Sequence, residues 1–294
     1  GVNWSSSLEI SFRAISWIWA FRLFQGSERF SPAVFAKCVK FLYLHGRHIE
    51  RYLSKYYSPN THLTGEALGL YYLGTQLPFL ERASHWKKIG EQIMHEEVKR
   101  QLLEDGVYFE QSTWYQRYTV SFYLQFLILQ SLNRENLNGL TAATLENRLS
   151  SALEFLSTKL RSRIGSALDF MMCTARPDGT SPLIGDDDGG TALPITSARA
   201  NDFRDTIAIG ALLMERGDLK YASTGCLEGV FWLFGPDGVN CLNEIPEQVP
   251  EKASRSFPVG GYYVMRDGWL DTDSFLVVDC GPVGSLSGGH GHAD

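Results

Sequence analysis

Gly261-Tyr262-Tyr263-Val264-Met265-Arg266 and Ser274-Phe275-Leu276-Val277-Val278-Asp279 are the stretches on which the fold turns. Both are short and rich in aromatic and β-branched residues, and Asp267-Gly268 with a short acidic loop lies between them. They predict two strands of an antiparallel sheet. Upstream the periodicity is different. From Trp4 to about Trp232 apolar residues recur three and four positions apart between short polar turns, the mark of helices with one buried face. Leu8, Phe12, Ile15 and Trp19 make one such face, and further helices are predicted over 33–54, 64–73, 84–103, 114–132, 145–160 and 202–214. Paired helices joined by brief loops suit an array of helical hairpins. No strict repeat period is present, which argues against the common solenoid families. Gly235-Pro236-Asp237-Gly238 signals a turn, and residues 243–256, with Pro246 and Pro250, read as a polar linker. The expected organisation is therefore a helical domain over 1–242, a linker over 243–256 and the first strands of a β domain over 257–294. Two strands followed at once by a Gly/His-rich turn would leave open sheet edges, so the chain is expected to be a C-terminally truncated fragment of a longer protein.

With 294 residues, 44% of them hydrophobic, the chain can bury a sizeable core. Its net charge of −6 and lack of any Lys/Arg run argue against nucleic-acid binding, which needs a concentrated basic surface. An anionic partner of another kind remains possible if Arg13, Arg117, Arg176 and Arg204 converge in one cleft. The five cysteines are odd in number and isolated, so they read as small core residues rather than a disulfide framework or a metal cluster. There is no run of roughly 18 apolar residues to span a membrane, and the apolar segment 15–24 is broken by Arg22.

Three polar islands carry the candidate chemistry. In Ser58-Pro59-Asn60-Thr61-His62 the proline forces an extended turn, and Asn60 or Thr61 is placed to cap the helix that follows. At such a loop-to-helix junction Asn60 and His62 can also present hydrogen-bond donors to a carboxylate, with Glu66 one turn on to orient His62. Gln111-Ser112-Thr113-Trp114-Tyr115 opens a long apolar helix and sets Trp114, Tyr115, Arg117 and Tyr118 at its start. Buried structural tyrosines are far commoner than catalytic ones. A phenol at a helix N-terminus beside an arginine is nonetheless where a phenolate would be favoured. Taking a phenol from about 10 to near 7 needs about 4 kcal/mol, so several positive or hydrogen-bonding groups have to converge. The third island, Gly288-Gly289-His290-Gly291-His292-Ala293-Asp294, allows a tight turn with two imidazoles on one side of an extended segment, one for a substrate and one for a metal. A fourth concentration of charge, Asp186-Asp187-Asp188-Gly189-Gly190, reads as a cleft-lining loop with one carboxylate hydrogen-bonded to the scaffold.

Asn60-Thr61-His62 with Glu66, Glu110-Gln111-Ser112-Thr113-Trp114-Tyr115, Gly185-Asp186-Asp187-Asp188-Gly189-Gly190 and His290-Gly291-His292-Ala293-Asp294 together resemble the heparinase II/III-like polysaccharide lyases, a group that includes alginate lyases. The resemblance runs in order over nearly the whole chain. It implies an incomplete α/α toroid of helical hairpins followed by the start of an antiparallel β-sandwich, and β-elimination on a uronate-containing polysaccharide of the heparan sulfate or alginate kind. By that resemblance Tyr115 is the proton-transfer phenol, His290 the second proton-transfer residue, and Asn60 and His62 the groups that neutralise the substrate carboxylate. It further implies substrate contacts from Trp114, Gln116, Arg117, Tyr118, Glu66, Asp186 and Asp187, and a structural Zn²⁺ held by His292 with ligands from elsewhere. Gln116 stands where many members have a histidine, and Thr61 where some have a second asparagine. The partner implied is an anionic polysaccharide and the location periplasmic or secreted. Two other readings are a toroid glycoside hydrolase using Asp186, Asp187 or Asp188, and a non-catalytic carbohydrate-binding protein.

Overall fold

A computed structural model describes residues 2–133, 158–187, 190–285 and 289–291. The helix expected over 145–160 therefore falls almost wholly outside the described residues, as do Asp188 and His292. After a 3-10 turn at Val2–Trp4 come helices α1 (Ser7–Phe24), α2 (Pro32–Arg51), α3 (Thr61–Gln76), α4 (Ala83–Gln101) and α5 (Thr113–Leu132). They are followed by α6 (Thr158–Thr174), α7 (Arg204–Met214), α8 (Gly217–Ala222) and α9 (Glu228–Glu244). Strands β1 (Arg255–Phe257), β2 (Tyr262–Arg266) and β3 (Phe275–Asp279) close the sequence of elements. Helices followed by a small antiparallel sheet is the order expected from the periodicity.

The chain divides into two units, Gly1–Glu97 with Thr191–Leu193, and Val98–Gly190 with Pro194–Asp294. In the first, α1 packs on α2 and α3. Ser6, Ser31 and Asn60 cap the three helices by accepting from Glu9, Val34 and His62 backbone N–H groups, which satisfies donors the helix itself cannot. The buried stripe of α1 is Leu8, Ile10, Ala14, Ile15 and Ile18, with Phe12 and Trp19 only half-buried, so it is rotated from the face expected. Trp86 of α4 is fully buried and donates its indole N–H to Glu50 Oε2 of α2 at 2.9 Å, and Arg82 pairs with the same carboxylate.

In the second unit α5 is buried nearly all round, the pattern of a core helix. It packs on α6 and α7, and α7 on α8 and α9. The sheet has order β1-β2-β3, with Arg255 opposite Val264 and Tyr262 opposite Asp279. Along β2, Tyr262, Val264 and Arg266 are buried while Tyr263 and Met265 face out, the period-two alternation of a half-covered strand. Phe170 of α6 meets Phe257 and Tyr262 edge-on at 5.0 and 5.1 Å between centroids. Arg266 donates to the Ala175 carbonyl at 3.2 Å, where a cation complements the C-terminal end of α6.

Three expectations change. The turn read at 235–238 is a kink inside α9, where Gly235 has φ 71° and ψ −167° and Pro236 follows. Proline suits the first turn of a helix, so Gly-Pro breaks and restarts the helix instead of ending it. Helix α9 thus reaches Glu244, and β1 begins at Arg255, within the stretch read as linker. The cysteines, expected to be small core residues, differ in burial: only Cys173 is buried and Cys280 is exposed. No described helix is long and apolar enough to cross a membrane.

Candidate active site

The site in the second unit is assembled around the N-terminus of α5. Ser112 caps that helix, its hydroxyl oxygen accepting from Tyr115 N at 3.2 Å, and the same hydroxyl donates to the Asp186 carbonyl at 2.7 Å. Thr113 adds two ties to the same loop, from its hydroxyl to the Pro182 carbonyl at 2.7 Å and from its N–H to the Ile184 carbonyl at 3.0 Å. The loop 182–186 is thereby fixed to the start of α5. Gly185 is the residue that lets a third segment in. It has φ 74°, and a Cβ there would lie 2.6 Å from the His290 carbonyl oxygen and 2.9 Å from that of Gln111, which only glycine avoids. Asp186 N then donates to the His290 carbonyl at 2.9 Å.

These backbone ties bring Tyr115 and His290 together. Their rings stack with centroids 4.4 Å apart and planes at 26°. The imidazole has a carboxylate on each side: Nδ1 stands 3.1 Å from Asp186 Oδ2 and Nε2 stands 3.7 Å from Glu110 Oε1. Glu110 is buried and its other oxygen accepts from the Tyr108 hydroxyl at 2.9 Å. Burial, and next the Glu110 charge, hold the Tyr108 phenol well above its ordinary range. Glu110 and Tyr108 were not among the expected site residues. Glu110 heads the motif that carries the resemblance, and Tyr108 is brought to it by a turn closed by Gln111 N donating to the Tyr108 carbonyl at 3.0 Å. Between them and Ser112, buried Gln111 stands at φ 58°, a left-handed conformation that costs a non-glycine residue about 1–2 kcal/mol and that tends to mark functional backbone.

Asn60, His62 and Glu66 stand together in the first unit at the start of α3. Asn60 rather than Thr61 is the cap, with Oδ1 accepting from His62 N at 3.1 Å. Glu66 does not orient His62: its two oxygens accept from the Ser54 N–H and hydroxyl, each at 2.7 Å, tying the preceding loop to the helix. Burial pushes its carboxyl up to about 7, against the opposing pull of the two Ser54 bonds. A folded-state value above the ordinary 4.5 favours the protonated form. The stability this gives is fully present below about pH 4.5 and is lost as pH rises through about 7. Glu66→Gln is expected to abolish that decline, which is on the order of 3 kcal/mol. Melting curves at pH 5 and pH 8 check it, and an equal decline in both proteins would refute it.

The remaining expected contacts divide. Gln116 is buried and its amide is committed to scaffold: Oε1 accepts from Tyr108 N at 2.5 Å and Nε2 donates to the Gly106 carbonyl at 2.8 Å. A substrate contact from that side chain is replaced by a brace on the turn before the site. Trp114 and Tyr118 are buried, Trp114 edge-on to Phe203 at 5.6 Å and Tyr118 against Tyr115 at 6.2 Å and Phe122 at 4.5 Å. Arg117 donates to the Gly190 carbonyl at 3.1 Å and lies over the Phe203 ring. Asp187 is exposed. Among the described residues no three His, Cys, Asp or Glu side chains converge on a metal position, and His292 lies outside them.

Helices of this order carrying a small antiparallel sheet are shared with a crystal structure of heparinase III, which aligns with TM-score 0.67 at 21% identity over 94% of this chain and 37% of that one. The family model for the heparinase II/III N-terminus matches residues 1–197, and that for the heparinase II/III-like C-terminal region matches residues 249–294. The chain belongs to the heparinase II/III family. Among curated relatives, a heparin-sulfate lyase of Bacteroides stercoris is 25% identical over 275 residues, covering 94% of this chain and 34% of the relative. One of Pedobacter heparinus is 23% identical over 284 residues, covering 95% and 36%. The chain thus spans about a third of the length of the curated relatives it matches.

Proposed function

We propose that the protein is a polysaccharide lyase that cleaves a uronate-containing anionic polymer by β-elimination. The single observation that carries this reading is the phenol of Tyr115 stacked on His290 at 4.4 Å with Asp186 and Glu110 around the imidazole. A phenol and an imidazole in contact supply the two proton-transfer groups that elimination needs. One removes the proton from the carbon beside the substrate carboxylate, and the electron pair forms the new C=C bond. The glycosidic C–O bond breaks, its oxygen takes a proton from the other group, and no water enters. Positioned proton transfer contributes about 10² to 10⁴ in rate, so charge neutralisation at the carboxylate has to supply much of the rest. Asn60 and His62 take that part in the proposal, with Trp114, Arg117, Tyr118 and Asp187 as the substrate contacts.

The heparin-sulfate lyase relatives favour a heparan sulfate-like polymer over an alginate-like one as substrate. To the same proposal belong an α/α toroid that ends with α9, a β-sandwich begun by β1, β2 and β3, a Zn²⁺ at His292 and a periplasmic or secreted location. No proton transfer runs through the zinc. A hydrolase using the Asp186 loop is less well supported, because Asp186 Oδ2 is already engaged by His290. Incubating the full-length protein with heparan sulfate and with alginate, with absorbance of the unsaturated product as readout, tests the proposal. A product signal from heparan sulfate, and mass spectra lacking an added water, are expected. Absence of unsaturated product from every uronate polymer, or products carrying an added water, would sink it.

A further inference from the structure

The Asp186 carboxylate is where a substrate contact was expected, yet its geometry is turned inward to the histidine. We propose that Asp186, with Glu110 behind it, is the positioning residue that holds the His290 imidazole flat on the Tyr115 ring. This deepens the lyase reading and rests on it for the kinetic part of its test.

Three observations converge. First, the tie is reciprocal: Asp186 N donates to the His290 carbonyl at 2.9 Å while Asp186 Oδ2 stands 3.1 Å from His290 Nδ1. Backbone and side chain of one residue thus grip backbone and side chain of the other, which fixes both the position of the strap carrying His290 and the rotation of its ring. Second, Glu110 Oε1 lies 3.7 Å from Nε2, outside hydrogen-bond range but close enough to disfavour the flipped ring. Glu110 is itself held by the Tyr108 hydroxyl at 2.9 Å. Third, Asp186 is placed by its carbonyl, which accepts from the Ser112 hydroxyl at 2.7 Å. Ser112 is also the cap of the helix that carries Tyr115. One hydroxyl therefore sets the start of the Tyr115 helix and the carboxylate that aims His290, so the two proton-transfer groups share a common reference point.

An imidazole bonded at Nδ1 has its ring plane and the role of Nε2 decided by that bond. Reacting groups displaced by about 1 Å lose about 10²-fold in rate. Removing a positioning residue lowers turnover, whereas removing a ground-state substrate contact raises KM. In the full-length protein Asp186→Ala is therefore expected to lower kcat for unsaturated-product formation about 10- to 100-fold while KM stays within about 2-fold. The side chain is 44% exposed and the loop bonds are made by backbone atoms, so the fold is not at stake. A crystal structure of the variant is expected to show the imidazole turned off the Tyr115 face. A loss carried by KM, or an imidazole still stacked on Tyr115 in the variant, overturns the proposal. If the unaltered protein releases no unsaturated product, the lyase reading falls and the crystal structure alone decides the positioning.

Discussion

Tyr115→Phe in the full-length protein is expected to lower turnover of a uronate polymer by at least about 10³-fold, with the melting temperature nearly unchanged. Phenylalanine keeps the ring that stacks on His290 at 4.4 Å and meets Tyr118 at 6.2 Å, so the packing of the buried side chain survives. Only the hydroxyl is lost. If that hydroxyl both takes the proton from carbon and returns one to the leaving oxygen, two steps lose a catalyst worth about 10² to 10⁴ each. If it performs one of them, with His290 performing the other, the loss is at the lower end. Initial rates of unsaturated-product formation, with a thermal melt alongside, measure both quantities. Turnover retained within about 10-fold would remove Tyr115 from the chemistry, and a large fall in melting temperature would show that the hydroxyl is structural.

What the sequence makes legible follows from which forces are local. Strand β2 is readable because buried Tyr262 and Val264 alternate with outward-facing Tyr263 and Met265, β3 because of its run of apolar and β-branched residues, and both because Asp267-Gly268 punctuates them. Helix α5, expected from 114 and beginning at Thr113, is readable to within one residue because the polar entry at 111–113 contains its cap, Ser112. Helix α6 is less so: its buried positions Leu160, Ile164, Ala167, Leu168 and Met171 have helical spacing, but Gly165 and three serines and threonines between 158 and 166 dilute the signal. The site divides in the same way. Tyr115 and His290 are nominated by residue type and by resemblance, and both stand in one cluster in the structure. The partners of Gln116, Glu66 and Asp186 are not legible, since a buried amide or carboxylate looks the same in sequence whether it faces a sugar or a backbone. Each partner lies in another segment: Ser54 in the loop before α3 for Glu66, the turn at Gly106 and Tyr108 for Gln116, and the distant His290 for Asp186.

The turn that braces this site yields the largest expected effect on stability, from Gly106→Ala. Gly106 has φ 92°, where an L side chain is strained, and an added Cβ would collide with the Ser166 carbonyl of α6, a backbone group with no freedom to swing away. The same residue's carbonyl accepts from Gln116 Nε2 at 2.8 Å, and Gln116 Oε1 accepts from Tyr108 N at 2.5 Å. Any shift that relieves the clash therefore pulls on α5 one residue past Tyr115, and leaves a buried amide short of a partner. Backbone strain of about 1–3 kcal/mol and an unsatisfied buried polar group of about 1–3 kcal/mol together give about 3 kcal/mol or more. For a chain of this size that is a fall in melting temperature on the order of 6–12 °C. Chemical denaturation with an unchanged m-value would place the effect in the native state. A Gly106→Ala protein that melts with the parent would mean the turn and α6 separate freely, and that Gln116 does not hold the start of α5 in place.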